Sequence, residues 1–267
     1  MLFKNKIVAI TGGTDGIGKA LVEYFLLEGA KVATCGRNHD KLYSLQSLKA
    51  NQPLHAIAAD ISNENDCKKF IETTIEVYGG IDILINNAGI SMRALFNEVE
   101  MDTIKKVMDI NFWGTVYCTK YALPYILQSQ GTVCSVSSIA GFRGLPGRTG
   151  YSASKFAVNG FMESLRTELL YSNVNVLWVC PGFTTSNIRN VALNKDGESQ
   201  GESTMNESKM MSSEECALHI ANAIYKKKRT LILTFTGKKT IFFNRFFAGL
   251  ADKLTYQYFF KNNELIK

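Results

Sequence analysis

Several features that mark common protein classes are scarce in this sequence of 267 residues. It has only three histidines, and none of its six cysteines belongs to a CxxC pair, so no metal site is expected. The cysteines are expected to be buried thiols in a reducing compartment. No run of about 18 apolar residues is present, which argues against a membrane-spanning helix. The first residues lack the apolar segment of a signal peptide, so a cytoplasmic location is expected.

The composition is that of an ordinary globular protein, with 46% hydrophobic and 20% charged residues. Its net charge of +6 is unevenly distributed. Ten Lys or Arg and two Asp or Glu lie from residue 221 onward, against 20 and 22 before it. No nucleic-acid-binding motif accompanies this basic segment, so nucleic acid is not expected as a partner.

Short apolar runs alternate with helical patterns as far as about residue 235. Near-continuous apolar strands separated by helices predict an α/β fold, a Rossmann-type doubly wound parallel sheet of about seven strands with helices on both faces. One domain is expected over residues 1–236. The strands are expected at residues 7–10, 31–35, 55–59, 81–85, 132–136, 174–179 and 231–235.

The first strand runs into Thr11-Gly12-Gly13-Thr14-Asp15-Gly16-Ile17-Gly18 and then into a helix. Glycines permit a tight turn and let the backbone approach a pyrophosphate, while the helix N-terminus supplies N–H groups. Glycines are common in strand–helix turns, but this cluster lies at the first crossover, where a dinucleotide fold binds its ligand. A nucleotide site is therefore predicted there.

Tyr151 and Lys155 lie four residues apart at the start of a predicted helix and share one face. A free tyrosine has a pKa of about 10, and an adjacent ammonium favours the phenolate. The pair is therefore suited to acid–base chemistry near neutral pH. Ser135, Ser137 and Ser138, at the end of the fifth strand, are the candidates for a hydroxyl that orients a substrate oxygen.

Together these motifs resemble the short-chain dehydrogenase/reductase family, in its single-domain Tyr-x-x-x-Lys branch. The Gly-x-x-x-Gly-x-Gly spacing, the run Asn86-Asn87-Ala88-Gly89 and the Tyr-x-x-x-Lys motif follow the family's order over about residues 5 to 235. Across its length the sequence is similar to members of the family that act on hydroxysteroids and 3-ketosphinganine.

The resemblance implies an NADP(H)-dependent oxidoreductase that interconverts a ketone or aldehyde and an alcohol by hydride transfer. An apolar or lipid-like substrate and a homodimeric or homotetrameric assembly are expected from it. A non-catalytic, NADP(H)-sensing or scaffold protein on the same fold is the alternative; its usual sign is loss of the Tyr or Lys, and both are present.

The resemblance also implies roles for individual residues. Tyr151 is the expected proton donor, Lys155 binds the nicotinamide ribose and lowers the tyrosine pKa, and Ser138 is selected to orient the substrate oxygen. Asn111 matches the position that holds a water in a proton relay. The cofactor is expected to contact Gly12, Thr14, Asp15, Gly16, Ile17, Gly18, Arg37, Asn38, Asp60, Ile61, Asn87, Ala88, Gly89, Tyr151, Lys155, Pro181, Gly182, Thr184 and Ser186.

The end of the second strand bears on the choice of cofactor. No acid precedes Asp40 there, although an acid would bind a ribose 2′-hydroxyl and repel a 2′-phosphate. Arg37 instead offers a planar guanidinium suited to a phosphate, a solvent-exposed loop arginine being the alternative. NADP(H) is thus favoured over NAD(H), although Asp15 takes the place where many NADP-using relatives carry a basic residue.

Two segments depart from the regular alternation. Residues 187–212 show little periodicity and are either a disordered loop or a lid; their position favours a substrate lid, together with Met92, Arg93 and residues 142–146. Ser212 and Glu215 form a capping box that predicts a helix start. The basic, aromatic-rich extension 237–267 carries a helical apolar stripe, which fits a membrane interface through residues 238–260, or burial on the domain or on a second subunit.

Overall fold

The structure is a computed structural model and describes residues 1–201 and 210–266. Its main sheet consists of Ile7–Thr11 (β1), Lys31–Gly36 (β2), Leu54–Ala58 (β3), Ile83–Asn86 (β4), Thr132–Val136 (β5), Asn175–Cys180 (β6) and Thr230–Ile232 (β7). All neighbouring strands pair in parallel, in the order β3-β2-β1-β4-β5-β6-β7. The predicted doubly wound, seven-stranded Rossmann-type sheet is therefore confirmed, and its order reverses between β1 and β4.

Helices connect these strands. They are Gly16–Leu27 (α1), His39–Leu48 (α2), Glu64–Tyr78 (α3), Met101–Met108 (α4), Gly114–Ser129 (α5), Thr149–Glu168 (α6), Ser213–Tyr225 (α7), Phe235–Phe246 (α8) and Ala248–Phe259 (α9). A π-helical turn, Asp109–Trp113, joins α4 to α5, and a 3₁₀ turn, Ile139–Gly141, follows β5. A short hairpin of Phe260–Lys261 (β8) and Glu264–Leu265 (β9) follows α9.

The core lies on both faces of the sheet, because successive strand residues point to opposite sides. In β1, Ala9 belongs to the layer that contains Phe70 of α3, whereas Val8 and Ile10 belong to the layer that contains Phe25 of α1. All five side chains are fully buried. Burial on both faces explains why the strands read as nearly continuous apolar runs.

Local capping residues fix where several helices begin. Asp15 precedes α1 and its carboxylate accepts a 2.8 Å hydrogen bond from the Gly16 N–H. Ser212 precedes α7 and accepts a 3.0 Å hydrogen bond from the Glu215 N–H, as the capping box predicts. These bonds satisfy N–H groups that have no partner inside the helix.

The end of the chain differs from its prediction in two ways. The seventh strand ends at Ile232 rather than 235, because Thr234 adopts a left-handed conformation (φ 68°) and caps α8 through a 3.1 Å hydrogen bond from the Gly237 N–H. The apolar stripe of the extension is split between α8 and α9, because Phe247 is non-helical (φ −138°). Among the helices that the structure describes, none is long and apolar enough to cross a membrane.

Candidate active site

A cavity of about 1140 Å³ lies along the carboxyl ends of β1 to β6 and passes over the point where the strand order reverses. Parallel sheets bind their ligands at this edge, because the strands end there in loops and helix N-termini. Every residue assigned to the cofactor from the sequence lines the cavity, namely Gly12, Thr14, Asp15, Gly16, Ile17, Gly18, Arg37, Asn38, Asp60, Ile61, Asn87, Ala88, Gly89, Tyr151, Lys155, Pro181, Gly182, Thr184 and Ser186.

The glycine loop between β1 and α1 is built for close backbone packing. Gly12 is left-handed (φ 70°), and a Cβ on it would lie 3.0 Å from Ala88. A Cβ on Gly18 would lie 2.1 Å from the Gly12 carbonyl oxygen, so only glycine lets α1 start this close to the loop. The bare backbone and the N-terminus of α1 therefore fit the pyrophosphate of a dinucleotide.

Thr11 ties the glycine loop to the loop after β4. Its hydroxyl accepts 3.0 Å hydrogen bonds from the N–H groups of both Asn87 and Ala88. The Asn87 amide in turn donates to the carbonyl oxygens of Thr11 at 3.0 Å and Gly12 at 3.3 Å. These bonds cross the switch point and hold the two loops together.

Ser138, Tyr151 and Lys155 meet at the middle of the cavity. Ser138 follows β5 and caps the 3₁₀ turn, and its side chain lies beside that of Tyr151. Lys155 is buried one turn further along α6, with its Nζ 5.7 Å from the centre of the Tyr151 ring. The expected hydroxyl, phenol and ammonium are thus brought together.

The hydroxyls of the other two candidate serines, Ser135 in β5 and Ser137 directly after it, have different partners. The Ser137 hydroxyl donates a 3.3 Å hydrogen bond to the Lys155 carbonyl oxygen, and the Ser135 hydroxyl lies against the Met162 sulfur at 3.2 Å. Both side chains are buried. Ser138 is therefore the serine of this group that lies beside Tyr151.

Burial is the largest influence on the pKa values of Tyr151 and Lys155. It lowers the pKa of Lys155 to about 8, and it raises the pKa of Tyr151 above its ordinary value. The hydrogen bond from Ser138 and the positive charge of Arg148 act in the opposite direction and lower the pKa of Tyr151. The sequence predicts that Lys155 lowers the tyrosine pKa, but in the structure burial of the phenol sets the direction of the shift, and the groups that oppose it are Ser138 and Arg148.

Two basic side chains, Arg37 and Lys41, line the end of the cavity beside β2. The Arg37 guanidinium lies 3.9 Å from the Asp60 carboxylate, and the Lys41 ammonium pairs with the Asp15 carboxylate. Asn38 uses its side-chain oxygen to cap α2, accepting a 2.9 Å hydrogen bond from the Lys41 N–H. Lys41 also lines the cavity, and sequence reasoning missed it because it approaches the glycine loop from α2.

Comparison with known proteins decides the family. A family model described as short chain dehydrogenase matches residues 6–196, which is more than half of the chain. The chain belongs to the short-chain dehydrogenase family. It is thus a member of an oxidoreductase family whose enzymes bind a nicotinamide cofactor and act on small-molecule substrates.

Two relatives and one solved structure show how far the similarity extends. Dehydrogenase/reductase SDR family member 7B of Mus musculus is 33% identical over 260 residues, which cover 94% of this chain and 80% of that protein. The 11-beta-hydroxysteroid dehydrogenase 1A of Arabidopsis thaliana is 33% identical over 237 residues, 84% of this chain and 67% of that protein. A short chain dehydrogenase/reductase from Burkholderia phymatum in complex with NAD superposes with a TM-score of 0.84 at 20% identity, covering 94% of this chain and 96% of that chain, which supports the shared fold.

Of the four residues expected to be catalytic in this short-chain dehydrogenase, Ser138, Tyr151 and Lys155 line the cavity and Asn111 does not. It is buried in the π-helical turn, where its amide accepts from the Ile90 N–H at 2.8 Å and donates to the Ile90 carbonyl at 2.9 Å and to Ser154 Oγ at 2.9 Å. A Cβ on Gly89 would lie 3.0 Å from Asn111 Oδ1 and 3.5 Å from Lys155 Nζ. The Asn111 side chain therefore holds the loop after β4 in place behind Lys155.

The structure places the residues that were expected on the substrate side in different surroundings. Met92 is fully buried in the core, and neither Met92 nor Arg93 lines the cavity; of residues 142–146, Arg143 and Leu145 do. The segment expected to be a lid contributes cavity-lining residues at 187–189, 191, 193, 197, 199 and 211, while its residues 202–209 lie outside the described part of the chain. Sequence reasoning missed Arg148 and the α9 residues Leu254, Tyr258 and Phe259, which also line the cavity, because their placement depends on how α9 folds back.

Proposed function

We propose that this short-chain dehydrogenase is an NADP(H)-dependent enzyme that interconverts a ketone or aldehyde and an alcohol. The observation that carries the proposal is the cluster of Ser138, Tyr151 and Lys155 at the middle of the cavity that the glycine loop borders, with Lys155 buried behind the tyrosine ring. A nicotinamide cofactor, when bound, supplies the hydride for reduction or accepts it for oxidation.

The chain's own groups do the proton chemistry. Ser138 holds the substrate oxygen by a hydrogen bond and Tyr151 donates the proton to it, because a phenol whose pKa is raised by burial is protonated at neutral pH. Lys155 keeps a positive charge below about pH 8 and donates a 2.9 Å hydrogen bond to the Val136 carbonyl, which holds it beside the phenol. Asn111 positions the loop that covers this ammonium and is proposed to support the relay that returns the proton to Tyr151.

Arg37 and Lys41 support the choice of NADP(H). Both basic side chains line the cavity near the end of β2, where Arg37 pairs with Asp60 and Lys41 with Asp15. Lys41 thus brings from α2 the charge that many NADP-using relatives carry in the glycine loop. Two cations directed at one ribose would bind a 2′-phosphate better than a 2′-hydroxyl.

The experiment that tests the reaction is a panel of carbonyl compounds offered with NADPH or NADH to the wild type and to Tyr151→Phe. The variant keeps the ring and loses the proton donor, so its turnover should fall by about 100-fold or more while NADPH binding, followed by fluorescence, is retained. Turnover that is unaffected by the substitution would refute the assigned chemistry. A wild type that binds NADPH and reduces nothing would favour the non-catalytic NADP(H)-sensing or scaffold protein.

The surface of α8 and α9 supports a lipid-like substrate and contact with a membrane containing anionic lipids. Exposed apolar side chains follow one another along the two helices, at Phe242, Phe246, Phe247, Leu250 and Leu254. Exposed cations flank them at Lys238, Lys239, Arg245 and Lys253. An apolar strip with cations beside it matches the interface of such a membrane, and Leu254 also lines the cavity, so a substrate could pass from this surface to the site.

A homodimer or homotetramer is proposed from a second surface, on the π-helical turn, α5 and α6. Trp113 stacks on Tyr117 with ring centres 5.8 Å apart, and both Trp113 and Phe156 are exposed. A second copy of the chain would bury these rings. Light scattering of the wild type and of Phe156→Glu tests this, since a smaller assembly is expected for the variant.

A further inference from the structure

Phe259, the last residue of α9, differs from the aromatic residues that precede it in the helix. Tyr256 and Tyr258 are 47% and 41% exposed, whereas Phe259 is 3% exposed and lines the cavity. Burying a phenylalanine ring removes a large apolar area from water, so the ring is held in its place by the hydrophobic effect. It is therefore a fixed part of the cavity wall.

The Phe259 ring lies close to the reaction centre. The guanidinium carbon of Arg148 is 5.3 Å from the centre of this ring. Arg148 directly precedes α6, about one helical turn before Tyr151, and its positive charge opposes the raising of the Tyr151 pKa by burial. A substrate group attached to the carbonyl that Tyr151 holds would therefore meet the Phe259 ring.

A tight hairpin follows Phe259 directly. The Ile266 N–H donates a 2.8 Å hydrogen bond to the Phe259 carbonyl oxygen, and β8 pairs with β9 between these two residues. The turn residues Asn262 and Asn263 both have positive φ, at 50° and 64°. Asparagine adopts this conformation more readily than most residues, which favours a two-residue turn. The hairpin thus holds the backbone of Phe259 at the end of α9.

Leu265 fastens this hairpin to the loop that leads into α6. Its side chain packs on Gly147, where a Cβ would lie 2.5 Å from Leu265 Cδ2, so a larger residue than glycine would displace it. The Arg93 guanidinium donates a 3.3 Å hydrogen bond to the Leu265 carbonyl oxygen, and the Ala94 N–H donates a 2.9 Å hydrogen bond to the Gly147 carbonyl oxygen. The hairpin and the loop before α6 are therefore held at a fixed separation.

Phe260 provides a contrast, since it is the next ring along the chain. It stacks on Tyr256 with ring centres 4.5 Å apart, and it is not among the residues that line the cavity. Two identical and adjacent side chains thus have different surroundings. A comparison of Phe259 with Phe260 separates an effect of the cavity wall from the general effect of losing a ring in this hairpin.

We propose that Phe259 is a specificity-determining residue, whose ring limits the bulk of the substrate group on one side of the carbonyl that Tyr151 and Ser138 hold. Leu265 is a positioning residue, because it acts on the substrate only through Phe259. The favoured substrates are then carbonyl compounds with one short substituent, which meets the ring, and one long apolar substituent, which extends along Leu254. This inference rests on the proposed function, since it names the substrate class of the same site.

The test uses ketones that share one long alkyl chain and differ in the other substituent, from methyl to n-butyl. The measured quantity is the ratio of kcat/KM for the butyl ketone to kcat/KM for the methyl ketone, with NADPH. It is measured for the wild type, Phe259→Ala, Phe259→Leu, Leu265→Ala and Leu265→Ile, with Phe260→Leu as the matched control. Because both rates come from one protein sample, a variant that is merely destabilised leaves the ratio unchanged.

The wild type should prefer the methyl ketone. Phe259→Ala should raise the ratio about 10- to 100-fold, because the space that the ring leaves accommodates the added methylenes, each worth about fourfold when buried. Phe259→Leu should raise it less, and Phe260→Leu should leave it unchanged. Leu265→Ala should raise it by letting the Phe259 ring move, and Leu265→Ile should restore the wild-type ratio. If Phe259→Ala fails to fold by circular dichroism, Phe259→Leu carries the same comparison.

Two different failures can be told apart. A wild type that reduces both ketones equally well, a ratio unchanged in both Phe259 variants, or an equal rise in Phe260→Leu would overturn the role of Phe259 and leave the oxidoreductase intact. An unchanged ratio in Leu265→Ala would overturn the positioning role of Leu265. If no ketone is reduced, calorimetric binding of the same series to the NADPH complex replaces the rates. Tighter binding of the butyl ketone by Phe259→Ala than by the wild type would then contradict the proposed function and keep Phe259 as the residue that limits size, whereas equal binding would overturn both.

Discussion

The side-chain nitrogen of Lys155 lies 2.9 Å from the carbonyl oxygen of Val136, the last residue of β5. This bond anchors a buried ammonium at the end of a central strand. Burial lowers its pKa from 10.5 to about 8, so Lys155 loses its proton in the range in which dehydrogenases are commonly assayed. The charge beside Tyr151 is therefore a function of pH.

A pH profile follows from this lowered pKa. A base whose pKa is lowered is charged below that pKa and neutral above it, so the ammonium is lost as the pH rises through about 8. We expect kcat/KM for carbonyl reduction to fall above this pH, while Tyr151, whose pKa is raised, is still protonated. The measurement is the rate of NADPH oxidation across pH at saturating cofactor. An unchanged rate well above pH 8 would show that the charge of Lys155 is not required.

The two adjacent serines after β5 allow a matched comparison. Ser138→Ala removes the hydroxyl beside Tyr151 and should lower kcat by about 10- to 100-fold, because the substrate oxygen loses a hydrogen bond in the transition state. Ser137→Ala removes a buried hydroxyl that donates to the Lys155 carbonyl, and should change kcat little. Equal losses in the two variants would argue against a direct role for Ser138.

The cofactor preference should depend on Arg37 and Lys41. Arg37→Ala and Lys41→Ala should each weaken NADPH binding about 10-fold and leave NADH binding nearly unchanged, because only the 2′-phosphate meets these cations. Lys49→Ala is the control, since Lys49 follows α2 and pairs with Glu23 at 4.0 Å. Fluorescence titration with both cofactors measures the ratio. A wild type that binds NADH as tightly as NADPH would contradict the proposed preference.

Two glycines should respond in opposite ways to the same substitution. Gly18→Ala forces a Cβ to within 2.1 Å of the Gly12 carbonyl oxygen, and should destabilise the fold by about 1 to 3 kcal/mol. Gly160→Ala, inside α6 where a Cβ meets nothing within 4 Å, should stabilise it by about 1 kcal/mol through helix propensity. Urea unfolding measures both. A neutral effect at Gly18 would mean that α1 moves away from the loop without cost.

Membrane contact through α8 and α9 predicts binding to vesicles. Wild type should float with vesicles that contain anionic lipid, and the double substitution Phe242→Ser with Phe246→Ser should weaken flotation, because it removes two rings that lie 5.0 Å apart on the exposed face. Tyr171→Ser is the control, an exposed aromatic outside these helices. Equal flotation of the wild type, the double variant and Tyr171→Ser would contradict the proposed membrane contact.

Patterns along the chain were sufficient for the sheet and for the cofactor cradle. Glycines are required where α1 packs against its own loop, and a strand buried on both faces must be apolar, so both features are visible in a single sequence. Tyr151 and Lys155 are one turn apart on a helix, and their meeting is a local consequence of helical geometry. Strand ends were displaced by one to three residues, because hydrogen bonds such as that capping α8 at Thr234 depend on backbone conformation.

Contacts between distant parts of the chain could not be predicted from patterns in the sequence. The pairing of Lys41 with Asp15, and the approach of Leu254 and Phe259 to Arg148, depend on how α2 and α9 pack on the sheet. The pKa of Tyr151 also followed the tertiary structure, because desolvation depends on everything that surrounds the phenol rather than on one neighbour in a motif. The sequence by itself determined the fold, the glycine loop and the adjacency of Tyr151 and Lys155. The apolar wall of Leu254, Tyr258 and Phe259 was decided only by the tertiary structure, because α9 has to pack over the cavity to form it.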